Sequence, residues 1–220
     1  MKTHRQLFRA KYPASQKVNL LEKLSKEEDS IRSTLKTSGV HFAKLFSFEN
    51  QLFIYLESES LISHLSLGGH FDAHLESWPG LEAPRKWVEM LDIFHDSKPR
   101  GDEPWRDFSA SRKSIGSIIY LRPEKYASYV FYHFQLQEEG IKKFNKYYLI
   151  GAHETCLFSY QEQPAVIDTR HEDRVLNTNL SPDNWAELMG EHFQPWPEGL
   201  NIADPWKVME EVFSFSNPIS

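Results

Sequence analysis

Tyr129 and His133 stand four residues apart in a stretch that Pro123-Glu124 marks as the opening of a helix. On an α-helix that spacing brings both side chains to one face. An imidazole titrating near neutrality beside a phenol suits general acid–base work, one group taking a proton while the other supplies one. The same stretch also fits an aromatic helix face (Tyr126, Tyr129, Tyr132, His133, Phe134) that simply packs, and the residues alone leave both readings open. His70 and His74, with Asp72 and His64 nearby, have the spacing of two metal ligands on a helical turn. No His-Glu-x-x-His pattern accompanies them and Gly68-Gly69 precede them, so surface histidines and no metal are expected. Cys156 is expected to be a small buried hydrophobe in a strand. Asp168 to Arg174 is a mixed-sign charge run, expected as a solvated loop. Neither a Gly-rich phosphate loop nor a Gly-x-Ser-x-Gly elbow occurs.

The elements that must position these residues follow one order twice. His4 to Lys11 reads as a strand, and Pro13 opens a helix with Leu21, Leu24, Ile31 and Leu35 on one side and Gly39 at its end. Val40 to Phe48 and Gln51 to Glu57 form a hairpin, and Pro84 to Phe94 reads as a helix through Trp87, Met90, Leu91 and Phe94. In the second half, Ser117 to Arg122 is a strand and Pro123 to about Tyr147 a helix stopped by Gly151. Ala152 to Tyr160 with Gln163 to Thr169 is the hairpin, Asp183 to Phe193 a helix, and Val208 to Phe215 the closing strand. His41-x-x-x-Leu45-Phe46-Ser47 lines up with His153-x-x-x-Leu157-Phe158-Ser159, Trp87-Val-Glu-Met-Leu with Trp185-Ala-Glu-Leu-Met, and Pro104-Trp105 with Pro205-Trp206. The expectation is an α+β protein of two tandem ferredoxin-like βαββαβ units, 1–112 and 113–220, packed sheet to sheet as an internal pseudo-dimer. Residues 66–83 are an insertion placed to act as a lid.

Composition narrows the partners. The chain has 220 residues and a net charge of −6, which argues against a nucleic-acid surface. Hydrophobic residues make up 40% and supply real cores, yet no apolar run is long enough to span a membrane. There is no apolar leader after Met1, and one cysteine leaves no internal disulfide, so a reducing, cytoplasmic setting is expected.

Residues 117 to 159, with Ile118-Ile-Tyr-Leu-Arg-Pro123-Glu-Lys, then Tyr129-x-x-x-His133, a helix, a glycine and a strand, resemble the opening of the L-rhamnose mutarotases. Trp185-x-Glu-x-Met and the closing Glu211-Val212-Phe213 are also similar to that family, and Arg85-x-Trp87-x-x-Met90-x-Asp92 resembles its Arg-Trp-Trp-x-x-Met-x-Asp. The resemblance implies a small dimeric α+β scaffold that interconverts sugar anomers without a cofactor. It implies His133 and Tyr129 as the catalytic pair and Trp185, Trp87 and Asp92 as substrate-binding residues. Trp185 would then be the flat wall for an apolar sugar face, with the 168–174 run contacting sugar hydroxyls. The chain departs from the family where the first half carries Leu20, Leu21 and Leu24 in place of the Tyr/His pair. In the second half Asn184-Trp185 replaces a Trp pair and Gly190 replaces an Asp. One competent site, in the second half, is therefore expected. The alternative is a non-catalytic carbohydrate-binding or structural protein on the same scaffold, and a third reading is a monooxygenase or haem-handling relative.

Overall fold

The computed structural model describes residues 2–80, 82–101, 103–140, 144–168, 175–201 and 203–218. Among the described residues it is a mixed α+β structure whose ten strands form two antiparallel five-stranded sheets, with few helices. In order, β1 is His4–Lys11, α1 Lys17–Lys26, α2 Glu28–Thr37, β2 Val40–Phe48, β3 Gln51–Ser58, α3 Gly69–Asp72, β4 Val88–Glu89 and β5 Leu91–His95. Then follow β6 Lys113–Tyr120, α4 Tyr126–Glu138, β7 Leu149–His153, β8 Cys156–Gln163, α5 Trp185–Gly190, β9 Lys207–Val208 and β10 Glu210–Ser216. The sheet orders are β10-β2-β3-β1-β4 and β5-β7-β8-β6-β9. The chain forms two compact units, 1–90 with 99–111 and 209–220, and 91–98 with 112–208. These units share most of the sequence halves 1–112 and 113–220 but trade their closing strands.

In the first unit, α1 and α2 bury Leu20, Leu24, Ile31 and Leu35 in one apolar cluster with Ala10, Ala43, Leu45 and Ile54 of the sheet. The expected single helix breaks at Glu27, which ends α1 and begins α2. The β2–β3 hairpin forms as expected, its turn set by Glu49 at φ 52°. The segment around α3 docks through Leu67, Phe71 and Leu75. Asp72 fastens it, accepting hydrogen bonds from Ser66 Oγ at 2.6 Å and from the Trp87 indole at 3.0 Å. Trp87→Phe removes that indole donor, and about 1–3 kcal/mol of stability is expected to go with it, read from the urea midpoint.

The predicted helix over Pro84 to Phe94 is instead β4 and β5. β4 pairs with β1 while β5 pairs with β7, and the β5 register slips between Asp92 and Phe94. The change of pairing partner across Met90 and the bulge at Ile93 reset the alternation, so Trp87, Met90 and Phe94 fall at helix-like intervals on an extended chain. The same arrangement recurs at 206–209: β9 pairs with β6, and after Met209 β10 pairs with β2. By position in the sheets, Trp87-Val-Glu-Met90 thus corresponds to Trp206-Lys-Val-Met209, rather than Trp87 to Trp185 or Trp105 to Trp206. His41 and His153 likewise sit in different slots, one opening β2 and the other closing β7.

In the second unit α4 ends at Glu138, and Gly140 at φ +66° terminates it long before Tyr147. Gly151, expected as a helix stop, lies inside β7. The hairpin is β7–β8, turning at Glu154 with φ 54°, so the predicted pairing of 152–160 with 163–169 is displaced. Residues 169–174 of the charge run lie outside the described residues. No helix among the described residues is long and apolar enough to cross a membrane.

Candidate functional site

α4 starts after Arg122 and Pro123, and Arg122 ties this end of the helix down: its backbone N–H donates to the His192 carbonyl at 2.8 Å and its Nε to that of Phe193 at 3.1 Å. Tyr129 and His133 share the inner face of α4, their ring centroids 4.1 Å apart, while Phe131 and Phe134 point outward. Tyr129 is 1% exposed and belongs to the core cluster with Ile119, Leu121, Ile150, Leu157, Met189 and Phe193. Burial pushes its hydroxyl well above the usual phenol range, and the nearby Tyr148 adds to the shift.

His133 Nδ1 lies 2.9 Å from the Tyr129 carbonyl oxygen, so Nδ1 carries the proton and donates, leaving Nε2 as the ring's acceptor. Burial lowers the imidazole pKa to about 4, with His192 contributing in the same direction and the bond to the Tyr129 carbonyl opposing it. The ring is therefore neutral at pH 7.

His133 borders a cavity of about 320 Å³. Phe94, Phe144, Tyr148 and Trp185 form aromatic walls, Leu136 and Ile150 add aliphatic surface, and Gln161 contributes an amide. Trp185 meets the His133 ring edge-on at 5.1 Å, and Phe94 stacks on Phe144 at 6.2 Å. Two contacts seat these walls. The His95 backbone N–H donates to the Gln137 side chain at 3.0 Å, fixing β5 on α4. Asp96 accepts from the backbone N–H groups of Phe144 and Asn145 at 3.0 and 2.6 Å. The site can hold a neutral molecule with a flat apolar face and few polar groups; a charge would lose its hydration there with little return.

Of the residues singled out from sequence, the structure brings His133 and Trp185 together at this cavity. Tyr129 supports His133 from the core side and is not among the lining residues. Trp87 lies in the first unit, 4% exposed, and bonded to Asp72. Asp92 sits on the edge strand β5, exposed and paired with His95 Nδ1 at 2.9 Å. Sequence reasoning missed Tyr148, Gln161, Phe144 and the role of Phe94. Phe144 falls inside the overlong predicted helix, Tyr148 just past its expected end, and Gln161 in the expected hairpin connection, where none of them draws notice. His70 and His64 are exposed, and the His74 ring lies against the Lys23 ammonium, a poor neighbour for a metal cation. Among the described residues no group of three or more His, Cys, Asp or Glu side chains could hold a metal.

The first unit carries a buried polar cluster centred on Glu57. Arg106 binds Glu57 through both carboxylate oxygens, Nε to Oε2 at 2.9 Å and Nη2 to Oε1 at 2.6 Å. Tyr55 and Trp105 donate to Oε1 at 2.6 and 3.1 Å, and His41 Nε2 lies 3.7 Å from Oε2. Burial alone would raise the Glu57 pKa, but the Arg106 charge and the bonds from His41, Arg106 and Tyr55 outweigh it and hold it at about 2. β8 repeats the core of this motif, with the Tyr160 hydroxyl donating to Glu162 Oε1 at 2.6 Å.

No family model matches the chain, and no curated protein matches it. Two similar solved structures are both named "putative monooxygenase". The protein from Fusobacterium nucleatum subsp. nucleatum is 10% identical, with a TM-score of 0.44, over 98% of this chain and 94% of its own. The one from Lactobacillus acidophilus is 6% identical, with a TM-score of 0.35, over 98% of this chain and 97% of its own.

Proposed function

We propose that the cavity beside His133 is a small-molecule site and that His133 moves a proton on the bound molecule. The observation carrying this reading is a neutral imidazole, its Nδ1 committed to the Tyr129 carbonyl, bordering a ligand-sized and largely aromatic hollow. The resemblance to L-rhamnose mutarotases supplies the specific reaction, on a scaffold read as tandem ferredoxin-like repeats. His133 Nε2 takes the proton of the anomeric hydroxyl, the bond from the anomeric carbon to the ring oxygen breaks, and that oxygen takes a proton. In this proposal Tyr148, a phenol of the cavity lining, gives it, in the role that sequence assigned to Tyr129. Reclosure on the other carbonyl face returns both protons. Trp185 offers a flat wall to the C–H face of a deoxy sugar.

Saturation-transfer NMR of L-rhamnose tests this. The protein is expected to speed anomer exchange, and His133→Ala to lose at least about 100-fold of that acceleration. Because a base works only when unprotonated, the rate is expected to hold above about pH 5 and to fall as pH drops through about 4. The same low basicity favours a second reading, a binding protein without turnover. L-Rhamnose or the flat probe 2-naphthol quenching tryptophan fluorescence, with no gain in exchange, would establish that reading. No exchange and no quenching by either would remove the site.

A further inference from the structure

Glu139 is a carboxylate where a helix disfavours one, at the C-terminal cap of α4, against the negative end of the helix dipole. It is nevertheless 5% exposed, and five hydrogen bonds converge on it. Oε1 accepts from Gln135 Nε2 at 2.6 Å, Thr178 Oγ1 at 2.6 Å and the Leu180 backbone N–H at 2.7 Å. Oε2 accepts from the Ser181 backbone N–H at 3.0 Å and its hydroxyl at 2.6 Å. Four of the five donors come from residues 178–181, and the Val175 and Leu176 N–H groups reach the Glu138 carbonyl beside them at 3.2 and 3.1 Å. Those bonds, that from the Leu180 N–H foremost, hold the Glu139 carboxyl at about 2.

The latched segment runs through Pro182, Asp183 and Asn184 straight into Trp185, the first residue of α5 and the aromatic wall against His133. At its far end α5 is pinned to the same helix, with the Ser128 hydroxyl 2.9 Å from His192 Nε2 and His192 Nδ1 bonded to the Leu188 carbonyl at 2.8 Å. The mount thus has two points, both on α4. We infer that Glu139 is a positioning residue: by gathering the 178–181 donors it sets where Trp185 stands over His133, and so fixes the shape of the cavity. This rests on the small-molecule reading for its effect on binding, but its effect on Trp185 does not.

Incorporation of 5-fluorotryptophan, with the Trp185 resonance assigned through Trp185→Phe, gives a readout that needs no ligand. Glu139→Gln turns one acceptor into an amide facing Ser181, and the Trp185 fluorine resonance is expected to shift and broaden. Glu138→Gln, one residue away and exposed, is expected to leave it in place. The 2-naphthol dissociation constant is expected to rise about tenfold in Glu139→Gln. Ser181→Ala, which removes one donor, gives a smaller change of the same sign and serves if Glu139→Gln does not fold. An unmoved Trp185 resonance in both variants overturns the inference. A moved resonance in a protein that, unaltered, binds neither 2-naphthol nor L-rhamnose and speeds no anomer exchange sustains the latch and removes the small-molecule reading.

Discussion

Replacing Arg106 with Ala is expected to cost the protein about 3–5 kcal/mol, measured by urea unfolding, because it strands a carboxylate with no access to water. Glu57 is 0% exposed, and Arg106 is its one bidentate partner among the described residues. The guanidinium also lies 3.5 Å from the Phe42 ring centroid, so truncation loses packing as well as charge. Removing both partners with Glu57→Leu and Arg106→Leu is expected to cost much less than Arg106→Ala, since no buried charge is left behind. The pair also ties stability to acid. Folding depresses the Glu57 pKa from 4.5 to about 2, so the pair's contribution is fully present above about pH 4.5. It is lost as pH falls from there through about 2. Unfolding midpoints between pH 5 and 2 should fall in the unaltered protein, and the double variant should lose that part of the slope.

Tyr129→Ala is expected to cost about 3–5 kcal/mol, the range for deleting a fully buried aromatic side chain. The ring is 1% exposed and touches Phe193, His192 and His133, with centroids at 5.8, 5.8 and 4.1 Å. Tyr129→Phe keeps those contacts and is expected to change stability by less than about 1 kcal/mol. It is also expected to leave anomer exchange and 2-naphthol binding unaltered, whereas Tyr148→Phe, at the cavity wall, weakens them. A Tyr129→Phe protein that folds normally but stops exchanging anomers would return the phenol's role to Tyr129.

Strands with clean alternation and short turns were legible from sequence: β1 matches its predicted span, and the β2–β3 hairpin turns where Glu49-Asn50 predicts. Reading failed where a local rule was overridden. The β4–β5 stretch looks helical because two resets of its alternation mimic a helix period, and only the pairing partners reveal this. Gly151 drew the helix end past Gly140, because both are glycines and only one takes a positive φ there. At the site, an i, i+4 pair on a helix revealed that Tyr129 and His133 share a face, but not which of them meets open space. Tyr55-x-Glu57 and Tyr160-x-Glu162 went unnoticed because a residue pair two apart on a strand carries no special pattern until burial forces the hydroxyl onto the carboxylate.

The strand trade has a consequence for synthesis on the ribosome. β1 to β3 emerge early, yet β2 receives its outer neighbour β10 only after the whole second sheet has been made. Through that interval the nascent β2 presents an unpaired row of backbone groups, the feature by which half-made chains stick to one another. Lys44 lies on this waiting strand, and in the finished protein its ammonium meets Glu211 of β10 at 2.7 Å. The lysine that welcomes the late strand is the same charge that discourages strangers while the place is vacant.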